Sequence, residues 1–393
     1  MKIAIITSGI LPVPAVQGGA VENLIDFYLE YNDIHKLHDI TIYSCKHPGT
    51  KKHPALKSKV NHYIYIDTNS LWAKIKKWIY LKRNGGEELY HYSIEYFIEQ
   101  ILKHIRKQSF DIIIIENRPA FALKLKKVTT ASLVHHIHNE KIPHNAIIAD
   151  DICKTTTLFI NVSRYITNQI NHIQSAHNKC VTVYNGICTS IFYNAQQYNR
   201  RKFELPEKDF IIAYSGRLTK EKGILQLIQA IKRLQVIRDL KLMIIGASTY
   251  GKDKYPTSFI KQLEEEVAPI KEKVIFTGFI EYGKIPSYLK LADIAIVPSM
   301  WEEPFGLTVV EAMAAGLPLI TTRSGGIPEI CEGVATIVNR DNIVENLANA
   351  ILDLYHNPEK RVAMSKASLE RSKMFDKETY ARNFFEAIKD IHP

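Results

Sequence analysis

The sequence predicts an α/β fold of two doubly wound domains, each built on a parallel sheet. Short runs rich in β-branched residues alternate with longer helical stretches along the chain. The runs are continuously apolar, as in DIIIIEN (111–117), which is typical of strands buried on both faces of a sheet. A polar, charged segment at 193–208 separates two such series, and a chain of 393 residues is long enough for two domains.

The strand runs and the final helical segment predict the domain boundaries. The first series lies at 2–8, 39–44, 62–66, 111–117, 132–139, 158–163 and 181–186. The second series lies at 210–216, 241–247, 273–279, 293–299, 317–322 and 334–338, and a helical pattern covers about 341–391. We therefore expect one domain over 1–186 and a second over 187–375, with a C-terminal helix at 376–393 packing back on the first.

Cysteine usage and hydropathy indicate a reduced protein without a spanning helix. The five cysteines form no CxxC pair and no zinc-finger spacing, so no structural disulfide is expected. Thr7 and Ser8 interrupt the first apolar run, which predicts a buried strand rather than a signal peptide. No stretch reaches the ~18 apolar residues that a spanning helix needs. We expect a cytoplasmic protein that is soluble or peripheral at the inner face of the membrane.

The net charge of +10 is concentrated in the first half of the chain. Residues 1–186 contain 23 Lys and Arg against 15 Asp and Glu, a net charge of +8. A positive field of this kind indicates an anionic partner: a membrane surface, a nucleic acid or a phosphorylated substrate. No recognised nucleic-acid module is present, so nucleic acid is not expected.

Two basic residues follow the first strand run of the second domain, in SGRLTKEKG (215–223). Ligands of doubly wound sheets bind at the carboxyl ends of the strands. Arg217 and Lys222 could both reach one diphosphate from there, the guanidinium as a planar fork and the ammonium as a point charge. The alternative is an ordinary solvated charged turn.

In EEPFGLTVVEAMAAG (302–316), the acids Glu303 and Glu311 flank a short apolar run, and LTVVEAMAAG predicts a helix starting near Phe305. Glu303 lies in the loop before this helix, and Glu311 lies about one and a half turns inside it. A carboxylate packed among small residues is desolvated and needs partners, which the hydroxyl groups of a ribose or hexose would supply. The alternative, that both acids complement the helix dipole, suits Glu303 better than Glu311.

The first domain offers a glycine loop and a histidine cluster. Gly18 and Gly19 precede a helix start, where free backbone N–H groups could face an anion, although a plain loop explains them too. The predicted strand at 132–139 contains three histidines, at 135, 136 and 138. Successive residues of a strand point to opposite faces, so only His136 and His138 lie on the same face. No nearby acid completes a ligand set, so we expect no metal and one histidine facing a ligand.

The segment SLWAKIKKWIYLKR (70–83) fits an amphipathic helix. Its apolar arc and basic residues match helices that lie in a membrane interface. The residues assigned to an acceptor or membrane contact are Trp72, Lys74, Lys76, Lys77 and Trp78. A core helix with a solvated basic face is an equal alternative.

These motifs together resemble the family 4 glycosyltransferases, which have the GT-B fold of two Rossmann-like domains facing across a cleft. The resemblance spans nearly the whole chain. It is carried by the Gly18–Gly19–Ala20 loop, a histidine after the fourth or fifth strand, Ser163, and YNGI (184–187). It continues in SGRL (215–218) with EKG (221–223), PS (298–299), EPFGL (303–307) with EAMA (311–314), and GG (325–326). Bacterial exopolysaccharide, lipopolysaccharide and spore-coat relatives are the most similar.

The resemblance implies roles for individual residues. Arg217 and Lys222 would hold the donor diphosphate, Glu303 the donor hexose and Glu311 the ribose, while His138, or failing it His136, would contact the hexose. The other implied donor-binding residues are Gly18, Gly19, Gly216, Phe305, Gly306, Leu307 and Thr308.

The resemblance also implies a retaining, metal-independent transfer of a hexose from a nucleotide-sugar, with UDP the expected nucleotide. The acceptor would be a saccharide or a lipid-linked saccharide in surface polysaccharide synthesis. A non-catalytic coat or scaffold protein and a sugar-nucleotide 2-epimerase are the alternatives.

Overall fold

The chain forms two compact units, each with its own parallel sheet and hydrophobic core. The computed structural model describes residues 1–83, 92–139, 142, 146–203, 205–247 and 258–391. Unit 1 comprises Met1–Gly186 and Lys377–Pro393, and unit 2 comprises Ile187–Asp376. The predicted α/β fold with two parallel sheets is confirmed.

Unit 1 contains a seven-stranded sheet. Its strands are β1 (Lys2–Ile6), β2 (Asp39–Cys45), β3 (Asn61–Ile66), β4 (Ile112–Glu116), β5 (Ser132–Ile137), β6 (Leu158–Asn161) and β7 (Cys180–Thr182). Its helices are α1 (Ala20–His35), α2 (Leu71–Arg83), α3 (Tyr92–Ile105), α4 (Phe121–Leu125), α5 (Ala146–Thr155) and α6 (Arg164–Asn171), followed at the C-terminus by Lys377–Ile388. The strand order is β3-β2-β1-β4-β5-β6-β7, and neighbouring strands pair in parallel.

Unit 2 contains a six-stranded sheet. Its strands are β8 (Phe210–Ser215), β9 (Leu240–Ile245), β10 (Val274–Gly278), β11 (Ile294–Val297), β12 (Leu319–Thr322) and β13 (Thr336–Val338). Its helices are α7 (Thr189–Tyr193), α8 (Ile224–Arg233), α9 (Ser258–Val267), α10 (Ile285–Leu289), α11 (Leu307–Ala314), α12 (Ile327–Cys331), α13 (Ile343–His356) and α14 (Pro358–Ser372). The last helix of the chain, Lys377–Ile388, belongs to unit 1 and is labelled α15. The strand order is β10-β9-β8-β11-β12-β13, again parallel.

The apolar strand runs are buried because helices cover both faces of each sheet. In β1, Ile3 and Ile5 belong to a core shared with α1 and α15. Ala4 and Ile6 belong to the opposite core, which α3 closes. Both faces of the strand therefore need apolar side chains, and this is why the sequence shows no alternation there.

The strand orders place the carboxyl ends of particular strands side by side. In each sheet the order reverses beside the first strand, between β1 and β4 in unit 1 and between β8 and β11 in unit 2. Ligands of doubly wound sheets bind at such switch points. A ligand-binding site is therefore expected at the loops after β8 and β11 in unit 2 and after β1 and β4 in unit 1.

The C-terminal helix α15 packs against α1 within unit 1. The rings of Tyr28 and Phe384 stack with their centroids 4.3 Å apart. Within the described residues, no helix combines the length and the apolar character needed to cross a bilayer.

Candidate functional site

In unit 2 the loops after β8 and β11 meet in an ion pair. Lys222 Nζ lies 2.6 Å from Glu303 Oε1, and the Glu303 side chain is only 8 % exposed. The same ammonium lies 5.4 Å from the centre of the Trp301 ring. The switch point of the sheet thus brings a basic and an acidic residue, predicted separately from the sequence, to one place.

Two glycines allow these loops to approach closely. Gly223 has φ +70°, and a Cβ there would lie 1.8 Å from the carbonyl oxygen of Pro298. Gly325, with φ +51°, would place a Cβ 2.2 Å from the carbonyl oxygen of Glu303. Any side chain at either position would push apart the backbone segments that hold Lys222 and Glu303 together.

Ser299 supports Glu303 through a hydrogen bond that the sequence does not predict. Its buried Oγ donates a 2.7 Å hydrogen bond to Glu303 Oε1. Its carbonyl oxygen accepts hydrogen bonds from the hydroxyls of Thr322 and Ser324, at 2.7 and 2.9 Å. The serine precedes the acid by four residues across a turn, a relationship that no periodicity in the sequence reveals.

The adjacent acid Glu302 has a different environment. Its carboxylate accepts hydrogen bonds from Arg340 and from the backbone N–H of Gly325. Arg340 also donates to the carbonyl oxygen of Met300 at 3.3 Å. Glu302 therefore fastens the loop, whereas Glu303 faces Lys222.

Helix α11 begins at Leu307, close to the start near Phe305 that the sequence predicts. Gly306 has φ +115°, which is not a helical value, and this residue ends the loop. Phe305 is buried, while Leu307 and Thr308 form the first turn. The leading N–H groups of a helix lack intrahelical partners, so this turn presents donors to an anion.

Glu311 lies one turn further along α11 and is only 6 % exposed. Burial raises the pKa of its carboxyl to about 7, and a hydrogen bond from the Tyr282 hydroxyl opposes that rise. Tyr282 was not singled out from the sequence. The expected desolvated acid is thus present, and its hydrogen-bond partner in unit 2 is a tyrosine.

Arg217 follows β8 as predicted but is not part of the Lys222–Glu303 pair. Its side chain is 53 % exposed, and Nη2 lies 3.9 Å from Glu221 Oε1. Its carbonyl oxygen accepts a 2.7 Å hydrogen bond from the buried Tyr214 hydroxyl. The preceding residue, Gly216, packs closely against Gly246: a Cβ at Gly246 would lie 2.0 Å from the carbonyl oxygen of Gly216. The backbone is thus fixed, while the guanidinium remains exposed to solvent.

In unit 1 an acid does lie beside the histidines, contrary to the prediction. Glu116, at the end of β4, is fully buried next to β5. His138 Nε2 lies 2.8 Å from Glu116 Oε2, and His136 Nδ1 lies 3.1 Å from the same carboxylate. His135 faces the other side and stacks on Phe159 at 5.4 Å. The acid was missed because it is 20 residues away in sequence and is brought near by strand pairing.

These three side chains could also hold a metal ion. Their ligand atoms all lie within 4.8 Å of one another. Although burial disfavours the charged carboxylate, the facing His136 and His138 lower the pKa of Glu116 to about 2. Burial, together with the neighbouring His136, lowers the pKa of His138 to about 4. The lowered carboxyl pKa favours the ionised form of Glu116, and the lowered imidazole pKa favours the neutral form of His138.

The glycine loop precedes α1 in unit 1. Gly18 and Gly19 have φ +73° and +113°, and a Cβ at Gly19 would lie 2.2 Å from Glu22 Oε2. The buried hydroxyl of Ser8 donates to Glu22 Oε1 at 3.4 Å. The loop is thus glycine-dependent, with a buried acid beneath it.

Helix α2 exposes its apolar arc. Leu71 and Trp72 are 73 % and 72 % exposed, Ile75 is 40 % exposed and Trp78 is 61 % exposed. Ala73 is buried, and Lys76 Nζ lies 5.7 Å from the Tyr96 ring centre. Among the side chains that the structure describes, the apolar arc is therefore exposed rather than buried in the core. Lys74 is exposed, and the side chain of Lys77 lies outside the described residues.

Comparison with known proteins gives consistent matches along the chain. Residues 195–371 match the family described as glycosyl transferases group 1. The chain is 30 % identical to spore coat protein SA of Bacillus subtilis over 386 residues, covering 94 % of this chain and 93 % of that protein. It is 27 % identical to a lipopolysaccharide 1,2-N-acetylglucosaminetransferase of Salmonella typhimurium, over 75 % of this chain and 76 % of that enzyme.

Solved structures share the fold. Anabaena HepE in complex with UDP superposes with a TM-score of 0.74 at 18 % identity, covering 99 % of both chains. A glycosyltransferase from Rickettsia africae gives a TM-score of 0.77 at 21 % identity, covering 99 % of this chain and 98 % of that one.

Proposed function

The chain belongs to the glycosyl transferases group 1 and is a glycosyltransferase, and from this premise we propose that it transfers a hexose from a UDP-sugar with retention of configuration and without a metal. The acceptor is a saccharide or a lipid-linked saccharide used in surface polysaccharide synthesis. The observation that carries the proposal is the Lys222–Glu303 pair at the switch point of unit 2, with buried Glu311 on the adjoining helix.

The charges of unit 2 suit a nucleotide-sugar. Lys222 and the exposed Arg217 supply the positive charge for a diphosphate, and the first turn of α11 adds backbone donors. Glu303 accepts hydrogen bonds from hexose hydroxyls, and Glu311 accepts them from the ribose. Each acid is held in place by its own hydroxyl donor, Ser299 for the first and Tyr282 for the second.

The reaction needs no protein nucleophile. The bond between the anomeric carbon and the diphosphate oxygen breaks, with Lys222 and Arg217 neutralising the charge that develops on the leaving group. The acceptor oxygen attacks from the face that the diphosphate leaves, and its proton passes to a diphosphate oxygen. In unit 1, His138 offers a ring nitrogen to a saccharide hydroxyl.

The exposed arc of α2 supports a membrane-bound acceptor. Leu71, Trp72 and Ile75 present apolar surface beside Lys74, in a region whose net charge is positive. Tryptophan and lysine on one helix suit the boundary between anionic headgroups and acyl chains.

Product analysis tests the proposal. The protein is incubated in EDTA with each UDP-hexose and a mixture of lipid-linked acceptors, and the anomeric proton of the product is read by NMR. We expect the donor's anomeric configuration in the product. An inverted product, or activity only after a divalent metal is restored, would contradict the mechanism.

A further inference from the structure

The buried carboxylate of Glu116 is hydrogen-bonded to three side chains. The Tyr28 hydroxyl donates to Oε1 at 2.9 Å. His138 Nε2 lies 2.8 Å from Oε2, and His136 Nδ1 lies 3.1 Å from both oxygens. Phe384 of α15 covers the His136 ring, with the centroids 5.1 Å apart, so the cluster has apolar walls. The His136 ring is thus held by packing as well as by hydrogen bonding.

The charge state of Glu116 determines which ring nitrogens carry protons. An ionised carboxylate only accepts hydrogen bonds, so each nitrogen facing it must be an N–H. His138 then carries its proton on Nε2. A neutral imidazole has one N–H, which leaves Nδ1 of His138 as a lone-pair acceptor.

The acceptor nitrogen of His138 has no partner among the described residues. Its Nδ1 is buried and makes no hydrogen bond, and the same holds for Nε2 of His136. An unpaired buried acceptor is costly and calls for a donor. The His138 side chain is 5 % exposed, whereas that of His136 is fully covered, so His138 is the ring that a ligand can reach.

We propose that Glu116 is a positioning residue, which holds His138 in the Nε2–H tautomer and so presents Nδ1 as the acceptor for a hydroxyl group of a saccharide substrate. The substrate class rests on the proposed function, whereas the tautomer rests on the geometry of unit 1 alone. This arrangement predicts discrimination between substrates. A deoxy or O-methyl analogue lacks the proton that the hydroxyl donates, so it leaves Nδ1 unpaired and should be a poorer substrate.

A metal ion in the same cluster requires the opposite arrangement. Divalent transition metals bind imidazole through a lone pair and bind carboxylates directly, so this residue set is chemically suitable for one. A metal at this point would need the lone pair, not the proton, on His138 Nε2. The metal-free and metal-bound states of the His138 ring therefore differ in whether Nε2 carries a proton, which can be measured.

Two-bond proton–nitrogen NMR of the histidine side chains reads that property. Spectra of the full chain are recorded near neutral pH with EDTA and with Zn²⁺, and His138 is assigned by its loss in His138→Gln. We expect the Nε2–H pattern with EDTA and no change with stoichiometric Zn²⁺. The Nδ1–H pattern, or a stoichiometric shift of the His136 and His138 signals by Zn²⁺, would overturn the assignment.

Variants separate positioning from general structure. Glu116→Gln replaces one acceptor oxygen with a donor, so a facing ring must change tautomer or lose its hydrogen bond. Tyr28→Phe is the matched control, because it removes one donor to Glu116 and leaves both histidines facing a carboxylate. We expect Glu116→Gln to lower kcat/KM about 10-fold or more, to shift the His138 signals and to keep a cooperative unfolding transition. Glu116→Asp should recover part of the loss.

The outcomes are distinguishable from failure of the proposed function. If no nucleotide-sugar is turned over by the unmodified protein, the NMR assignment of the tautomer still stands or falls by itself. If transfer occurs and Glu116→Gln changes the tautomer without changing kcat/KM, the positioning role is wrong. The same conclusion follows if Tyr28→Phe lowers kcat/KM as much as Glu116→Gln does.

Discussion

Lys222 and Glu303 form an ion pair within unit 2, with 2.6 Å between Nζ and Oε1. The cation that we assign to the diphosphate is thus paired with the acid that we assign to the hexose. A bound donor has to separate the two groups or fit its own charge between them. Ser299 Oγ also donates to Glu303, so under the proposed function it would hold the acid while the lysine binds the phosphate.

Glu303→Gln and Lys222→Ala should therefore affect nucleotide binding differently. Removing the competing acid frees Lys222, so we expect Glu303→Gln to bind UDP at least as tightly as the unmodified protein while losing transfer. Lys222→Ala should weaken UDP binding about 10- to 100-fold, because a hydrogen bond to a charged group contributes roughly 1.5–3 kcal/mol. Calorimetric titration measures both. Equal losses of UDP affinity in the two variants would contradict the assignment.

Glu311 predicts a pH dependence of donor binding. Its pKa is raised to about 7 by burial, and the ionised form is the better acceptor for two ribose hydroxyls. The affinity for a UDP-sugar should therefore rise between about pH 6 and pH 8. Tyr282→Phe removes the hydrogen bond that lowers this pKa and should move the rise to higher pH. Glu311→Gln is the control, in which the titration should disappear.

The Glu311 carboxyl also predicts a pH dependence of folding stability, which falls as the pH rises whereas the donor affinity increases. The unfolded carboxyl ionises near its ordinary value of 4.5, whereas the folded one holds its proton until about pH 7. Between these values the unfolded state loses its proton first, so the contribution of Glu311 to stability falls as the pH rises. Denaturant unfolding should show Glu311→Gln gaining stability relative to the unmodified protein from pH 5 to pH 7. A constant difference between the two proteins would contradict the raised pKa.

Gly223 should be more sensitive to alanine than a glycine with similar backbone geometry. Gly223 and Gly333 have φ +70° and +82°, but a Cβ meets the Pro298 carbonyl oxygen only at the first and nothing within 4 Å at the second. Both alanines carry about 1–2 kcal/mol of left-handed strain. Gly223→Ala should lose more stability and also lose UDP affinity. Thermal unfolding and UDP titration check this, and equal behaviour of the two variants would refute the close-approach argument.

The exposed arc of α2 predicts binding to anionic vesicles. Trp72→Glu with Ile75→Glu should reduce sedimentation with mixed phosphatidylcholine–phosphatidylglycerol vesicles, since each apolar side chain removed from water contributes roughly 1.5–3 kcal/mol. Added salt should weaken the residual binding. Val236→Glu in unit 2, at a position 83 % exposed, is the control and should sediment as the unmodified protein does. Unchanged sedimentation of the double variant would exclude this face as the membrane contact.

The sequence predicted the sheets well because buried parallel strands leave a direct signal. A run such as DIIIIEN has no alternation, since helices cover both faces of β4. The alternation of strand and helix predicts parallel pairing, whereas the order of the strands is given by the structure. It is this order that brings Lys222 beside Glu303, although 81 residues separate them.

The contacts within each site were less predictable. Glu116 lies 20 residues before His136 and was overlooked because only register pairing of β4 with β5 brings them together. Ser299 and Tyr282 are common residue types whose roles depend on a particular turn. Such details depend on backbone geometry, for which hydrophobic periodicity carries no information.

Calorimetric titration with a panel of UDP-, GDP- and TDP-sugars in EDTA tests the central claim most directly. The account predicts that UDP-sugars bind, and that Arg217→Ala, Lys222→Ala and Glu311→Ala each weaken the binding while thermal unfolding stays cooperative. Absence of binding by every nucleotide-sugar, or UDP-sugar binding that all three substitutions leave unchanged, would contradict the assignment of this site in unit 2.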